Sequence, residues 1–478
     1  MIEKKSFEAP TSSKSWMFFC LASFILMGCN RSEKIATSGI GGNPGENPNI
    51  GNSPTSSQGS PGATGPSGLP GTPGPAGPMG PQGPMGLPGF QGTASAIVVN
   101  NIAELENWYV AGPLPAFAEV LGYFSPGDGG EGRFVLLPMG PRKINRGTVV
   151  ATKLDAGLVW KRNYSGPINV RWFGALGARP INLAAPQIDD TQRIQAAVIA
   201  ADIEGARSVY IPSGTYFISQ IVLTPYMTLY GDGSTDQTIL RGLSGATQES
   251  LITDDSNDGN YGNAAKISLH DFQVKGPIDP NSPVKALIKL GFREYPHGTF
   301  GVLRSLWLRD LPNGTGLKIK GNVGNYYDIA ITRVRRGLEI WGEGNLLSGL
   351  QIMDFTDTAI VNMCSFCKYN QTHIEGPRGQ QPGDGAVNAL GIFLGRQQAV
   401  FTGVTISLAS GNNLKRIIEA PTNAAAYAMG FIIQGLTVTL PDNNTHFGSI
   451  LEYTGGKRLS VGLEEEYRHG VFNYAGTP

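Results

Sequence analysis

IDDTQRIQAAVIAADIEGARSVYIPSGTYFIS, residues 188–219, decides how the rest of the chain folds. Its first half has the marks of a single helix. Asp189 and Gln192 stand at capping-box spacing, Ile194, Val198 and Ala201 share one face, and Gly205 supplies a stop. The second half alternates apolar and polar residues between Pro and Gly punctuation, which reads as strand. A helix N-terminus accounts for the paired acids Asp189 and Asp190, so they are read as caps rather than as a catalytic dyad.

Downstream, apolar positions return at a near-constant distance. Leu308, Ile331, Ile352 and Ile374, in SLWLRDL, DIAITRV, GLQIMDF and THIEG, follow at intervals of 23, 21 and 22 residues. Leu317, Leu338 and Ile360 repeat at 21 and 22. Short strands at fixed phase are what stacked coils require, because each coil must bury its face on the next. Equivalent positions would then form columns with the ~4.8 Å strand spacing.

These residues closely resemble the N-terminal part of the pectate lyase-like family of rhamnogalacturonases, epimerase-like proteins and tailspikes. The matching motifs are WFGA at 172–175, DDT at 189–191, IQAA at 194–197, VYIPSGTY at 209–216 and LYGDG at 229–233. The resemblance implies a mainly β protein, a right-handed parallel β-helix whose first rung is plugged by the helix. Where relatives often read GAKGDG before DDT, this chain carries GALGARPINLAAPQIDDT. The β-helix is expected over 167–380, and 381–478 as terminal coils or a trimer cap.

A smaller neck of mixed structure is expected over 93–166, with strands in AIVVNN, GRFVLL and GTVVA and a short helix in IAELENW. Within it, LGYFSPGDGGEGRF (121–134) resembles the Gly-rich strand and turn that precede the β-helix in trimeric phage tailspikes. GDGGEG lacks the Lys and Ser/Thr of a P-loop and precedes a strand, so it reads as a turn.

Further toward the N-terminus the composition changes completely. Residues 59–92 place glycine at every third position, from Gly59 to Gly92. Only glycine fits where three polyproline II strands meet, so this collagen-like repeat needs three chains. It holds no charged residue, so interchain ion pairs cannot set its register. Residues 29–58, rich in Gly, Asn, Ser and Pro, read as a disordered tether. In residues 1–28, Lys4, Lys5 and Lys14 precede an apolar run from Trp16 to Met27, the pattern of a signal peptide. Leu26, Met27, Gly28 and Cys29 resemble the lipobox of bacterial lipoproteins, which implies lipid on Cys29; Asn30 resembles an outer-membrane sorting signal.

The 37 basic and 37 acidic residues cancel, which argues against electrostatic capture of nucleic acid. Five scattered histidines announce no metal cluster, and no cofactor is expected. Asp254, Ser256, Asp258 and Gly259 open like an EF-hand loop, but Ala265 holds the twelfth position, where a Glu belongs. Cys364 and Cys367 read as small buried residues facing opposite ways along a strand.

Glycan hydrolysis needs two carboxylates flanking the bond. Asp310, Arg333 and Asp354 fall in one column, with Asp271 at a similar place on an earlier coil, and Glu375 lies beside His373. An arginine between two acids favours an ion-pair ladder over a proton donor. Alternation turns Trp307, Arg309, Glu339 and Trp341 outward. Trp307, Arg309 and Trp341 are therefore candidates for stacking on sugar rings or for packing against a neighbouring subunit. The whole arrangement resembles mosaic adhesive trimer fibres. It implies a lipid-anchored homotrimeric surface adhesin that recognises glycans, with a tailspike-like polysaccharide hydrolase or lyase, or a structural trimerisation knob, as the alternatives. In light scattering, a fragment ending at Thr93 is expected not to hold a trimer at physiological temperature, whereas one starting at Ala94 is expected to hold it.

Overall fold

The computed structural model describes residues 96–177, 187–254, 266–292, 301–376, 389–395, 399–407, 414–420, 430–439, 447–453, 458–463 and 472–474. The expected signal peptide, lipid site, tether and collagen-like repeat lie outside these residues, as does most of the EF-hand-like loop.

Two sheets make up the described part. The first has five strands in the order β1-β2-β3-β5-β4. These are β1 (Ala96–Val99), β2 (Phe117–Val120), β3 (Gly132–Pro138), β4 (Val149–Ala151) and β5 (Leu158–Arg162), with helix α1 (Ile102–Asn107) between the first two. GDGGEG is indeed a turn. The Asp128 carboxylate accepts hydrogen bonds from the backbone N–H groups of Tyr123, Phe124, Ser125 and Gly130. Partial burial would raise its pKa, but these four donors outweigh burial and hold it below the usual carboxylate range. Arg162, buried under the turn, donates to the carbonyls of Gly147, Glu131 and Gly130 and packs over the rings of Phe134 and Trp172.

The second sheet begins with β6 (Ile168–Asn169), followed by helix α2 (Thr191–Ile203). Ile194, Ala197, Val198 and Ala201 of α2 are fully buried against the first coil, and Gly205 beyond its end has φ +73°. The capping differs from expectation. Asp190, not Asp189, is the N-cap residue, and its side chain makes no capping bond. It reaches back to the N–H groups of Leu176 and Gly177, while Asp189 Oδ1 accepts from Thr191 N. Burial pushes the Asp190 carboxyl up, opposed by those two donors and by Arg193. These acids therefore tie the chain entering the coil to its plug.

Each full coil then contributes three strands, the first being β7 (Ser208–Ile211), β8 (Gly214–Ile218) and β9 (Ile221–Leu223). All pairings in this sheet are parallel, so the coils stack as a parallel β-helix with three faces. One residue per coil fills each interior column. On the first face the column runs Val209, Leu229, Leu269, Leu303, Tyr326, Leu347, Tyr369, Phe401 and Ile433. Tyr369 and Phe401 stack with centroids 4.2 Å apart. On the second face Leu308, Ile331, Ile352 and Ile374 align as the sequence spacing predicts, continuing to Ile406. On the third face Leu317, Leu338 and Ile360 align likewise, and the ladder continues through Ile392 and Ile418 to Leu451.

The corners are built from residues in the left-handed backbone region. Between the first and second faces stand Asp271, Ser305, Asp328, Gly349, Gln371, Gly403 and Gly435, with φ between +49° and +69°. Between the second and third stand Asp310, Arg333 and Asp354, with φ +65°, +53° and +55°. Asp271 thus belongs to a different corner from Asp310 and Asp354, and the sequence alignment that placed it with them is corrected. Cys364 and Cys367 are also corrected. A turn through Ser365 and Phe366, the latter at φ +57°, brings the two sulfurs together as a buried disulfide.

One cluster joins the five-stranded sheet to the plug. Glu204, at the end of α2, accepts from Lys161 Nζ (2.5 Å), Tyr164 Oη (2.6 Å) and Thr148 Oγ1. Burial alone would raise its pKa, yet these donors lower it below the usual value. A depressed carboxylate contributes stability above its unfolded pKa and loses it as pH falls through the folded value. Glu204→Gln is therefore expected to cost about 1–3 kcal/mol at neutral pH. In urea titrations the gap to wild type should narrow as the pH falls below about 4.

Candidate functional site

Alternation on the first face puts Val209 and Ile211 inside and Tyr210 outside, and the same phase repeats on every coil. The outward column reads Tyr210, Tyr230, His270, Arg304 and Tyr327. Four coil steps at ~4.8 Å give a ladder about 19 Å long. Tyr210 and Tyr230 lie 5.3 Å apart between centroids, and Tyr230 stacks on His270 at 5.2 Å with the rings 16° from parallel. Gly231 permits this close approach, because a Cβ there would lie 2.6 Å from the Asp271 carbonyl oxygen.

Two carboxylates stand along the ladder. Tyr210 Oη donates to Asp232 Oδ1 at 2.6 Å, and Ser213 donates to Oδ2 from its N–H at 2.7 Å and its hydroxyl at 2.8 Å. Slight burial would raise the Asp232 pKa, but these bonds and nearby Arg171 bring it below its usual value, so it stays ionised. Burial and the Asp232 contact push the Tyr210 phenol up to about 12. One coil on, His270 Nδ1 lies 2.6 Å from Asp271 Oδ2, with Arg304 Nη2 3.7 Å from the same oxygen. With Asp271 as acceptor, Nδ1 carries the proton and Nε2 is the imidazole's basic atom.

The other sequence candidates divide between the remaining faces. Trp307, Arg309, His373 and Glu375 are on the second face, in two adjacent outward columns. The Arg309 guanidinium lies 4.3 Å over the Trp307 ring, whose Nε1 donates to Thr332 Oγ1 at 3.2 Å. One face of that indole is therefore already covered. Asp310, at the neighbouring corner, pairs with Arg333 Nε at 2.5 Å and with Arg309 Nε at 3.4 Å. Asp354 follows Arg333 in the same column. This column has the geometry of an ion pair at a turn that needs φ > 0, a conformation Asp tolerates better than most residues.

Trp341 is on the third face, against the edge of Phe292 at 5.1 Å and near Lys318 Nζ at 5.6 Å. Trp307 and Trp341 thus face different directions and do not form one sugar platform. Glu339, expected to be exposed, is 5% exposed beneath Thr315, Arg336 and Lys318. Among the described residues, no group of three or more His, Cys, Asp or Glu side chains is placed to hold a metal.

The tyrosine ladder was missed in the sequence although its residues lie inside the recognised motifs. Tyr210 belongs to VYIPSGTY, and Tyr230 and Asp232 to LYGDG. The available signal was the outward partner of each inward residue, an aromatic at the same phase on consecutive coils.

Residues 168–275, which include Tyr210, Tyr230, Asp232, His270 and Asp271, match the family model described as rhamnogalacturonase A/epimerase, pectate lyase-like. The enzymatically active domain of tailspike protein 2 from bacteriophage CBA120 superposes with a TM-score of 0.50 at 16% identity, covering 73% of this chain and 56% of that one. Full-length tailspike protein 2 from the Escherichia coli bacteriophage also gives 0.50 at 16% identity, covering 73% and 50%. The tailspike gp49 of Acinetobacter baumannii bacteriophage Fri1, a capsular polysaccharide depolymerase, gives 0.45 at 13% identity, covering 79% and 76%. This chain spans about half the length of the tailspike protein 2 structures. No curated protein sequence matches it. The fold is a right-handed parallel β-helix of the pectate lyase-like, tailspike type.

The left-handed corners can be tested directly. Arg333→Gly relieves the backbone and gives up only a half-exposed ion pair, so its effect on stability is expected to stay within about 1 kcal/mol. Arg333→Val, β-branched at φ > 0, is expected to be about 1–2 kcal/mol less stable than Arg333→Gly in urea denaturation.

Proposed function

We propose that this chain is a polysaccharide-processing β-helix, which lays an extended glycan along the outer first face and cleaves it there. The observation that carries the reading is the ladder of Tyr210, Tyr230, His270 and Tyr327, with the Asp232 and Asp271 carboxylates along its edge. Ring edges in register offer apolar contact to successive sugars, and the polar tips fix their hydroxyls. Asp232 is held ionised, which suits a base, and His270, oriented by Asp271 on the next coil, would in its protonated form donate to the leaving glycosidic oxygen. Two such groups on adjacent coils suit general acid–base work on a glycosidic bond. The fold is also that of an enzymatically active tailspike domain, so the scaffold is one on which catalysis occurs.

A second reading, the lipid-anchored adhesive fibre, is favoured by the N-terminal sequence. A lipidated Cys29 at the bacterial outer membrane, a tether and a three-chain collagen-like rod would hold three heads away from the surface. The Cys364–Cys367 disulfide supports export to an oxidising compartment. Three glycan sites on one fibre would multiply weak contacts through effective concentration. Neither nucleic acid nor a cofactor has a place in this reading.

Both readings are tested on one polysaccharide panel, scored for binding and for products. Tyr230→Ala is expected to weaken glycan binding about tenfold, the loss of roughly 1.4 kcal/mol of aromatic edge and hydroxyl contact. Asp271→Asn should abolish turnover while leaving binding nearly unchanged, whereas Asp310→Asn and Asp354→Asn should retain turnover. Released reducing ends would indicate hydrolysis and unsaturated ends elimination. Binding without any shortening of the polymer would leave the adhesin and reject the enzyme.

A further inference from the structure

The Gly-rich turn of the five-stranded sheet does more than reverse the chain. It closes on Arg171, which stands in a single 3₁₀ turn, Val170–Phe173, between β6 and α2. A Cβ at Gly129, where φ is +91°, would lie 2.4 Å from Arg171 Cδ, so glycine at this position is what lets the arginine stem lie against the turn. Gly174, which ends the 3₁₀ turn at φ +81°, makes room for Tyr123 in the same way: a Cβ there would be 2.5 Å from the Tyr123 ring.

The guanidinium bridges two backbone segments. Nη1 donates to the Asp128 carbonyl at 3.4 Å, and Nη2 donates to the Ser213 carbonyl at 3.0 Å. Ser213 lies in the bend between β7 and β8, and this bend holds Asp232, giving the carboxylate its N–H at 2.7 Å and its hydroxyl at 2.8 Å. Tyr216, fully buried, braces the same bend by donating from Oη to the Pro212 carbonyl at 2.9 Å. A carboxylate held by such bonds keeps its direction only while its donors keep theirs. One line of contacts therefore joins Asp128 to Arg171, Arg171 to Ser213, Ser213 to Asp232 and Asp232 to Tyr210.

The charges agree with this geometry. Tyr210, Tyr216 and Tyr230 lie within electrostatic range of Asp232, and burial first of all raises their phenols, so they are neutral near pH 7. His270 stands one coil on with its own partner, Asp271. Arg171 is a fixed cation that opposes protonation of Asp232. We infer that Arg171 is a positioning residue for the cleavage: clamped by the Gly-rich turn, it fixes the Ser213 bend that aims the Asp232 carboxylate along the first face. The five-stranded sheet then serves the catalytic carboxylate through this arginine.

The inference rests on the reading of Asp232 as general base, which Asp232→Asn tests separately. Full-length wild type, Asp232→Asn, Arg171→Met, Arg171→Lys and Arg133→Met are compared for polysaccharide turnover across pH, with circular dichroism reporting the fold. Arg171→Met keeps a stem against Gly129 but loses both hydrogen bonds and the charge. It is expected to lower kcat about tenfold or more while KM changes less than about twofold. The acid limb of its kcat/KM profile should move to higher pH, because the base takes up a proton more readily without the cation. Arg171→Lys keeps the charge but cannot bridge both carbonyls, so its limb should stay near wild type while kcat remains low. Arg133→Met removes a half-exposed cation of the same sheet, paired with Glu119, and should match wild type in both respects. Turnover by Asp232→Asn would reject the base and the inference with it. With Asp232→Asn inactive, wild-type kcat in either folded Arg171 variant would overturn the inference alone, as would a limb moved equally by Arg133→Met. A wild type without turnover removes the cleavage reading, and the positioning is then read from a crystal structure of Arg171→Met. Ser213 should have withdrawn from Asp232 there, and intact bonds between them would overturn it.

Discussion

Stacking of each coil on the one before it is the constraint on which the rest of the structure depends. A single coil cannot bury its apolar side chains. The interior columns on the three faces form only when the coils keep a common phase, and parallel hydrogen bonding enforces it. Everything outside inherits that phase. A residue repeated once per coil becomes a ladder on the surface, whether of tyrosines on the first face or of charges at a corner.

The first coil has no predecessor, and helix α2 occupies that place. Its inner residues complete the apolar column, and Asp190 and Glu204 at its two ends bind the entering chain and the five-stranded sheet. The plug is therefore also a joint. Polar bonds that would add little on an open surface gain from this partial burial, which keeps water from competing with them.

The interior was far more legible in the sequence than the exterior. Leu308, Ile331, Ile352 and Ile374 could be aligned by spacing alone, because burial demands an apolar residue at a fixed phase whatever the corner conformation. Surface chemistry is not so determined. Trp307 and Trp341 look equivalent by alternation but lie on different faces, because the turn between strands redirects the chain. Asp271 and Asp310 each stand two residues beyond an inward residue, yet occupy different corners, since one coil contains several such turns. The disulfide was hidden for the same reason: strand geometry separates Cys364 from Cys367, and only the left-handed Phe366 brings them together. Tyr210, Tyr230 and His270 become a platform only when coils of unequal length are superposed, with one step of 20 residues and the next of 40.

Cleavage as proposed requires a glycan lying along the first face. The most direct measurement is a crystal structure of the protein with a bound oligosaccharide from a polysaccharide it recognises. The expected result is sugar rings packed along the outer edges of Tyr210 and Tyr230, with a glycosidic oxygen near His270 and Asp271. An oligosaccharide seated on the second face at Trp307, or on the third at Trp341, with the tyrosine ladder empty, would contradict it.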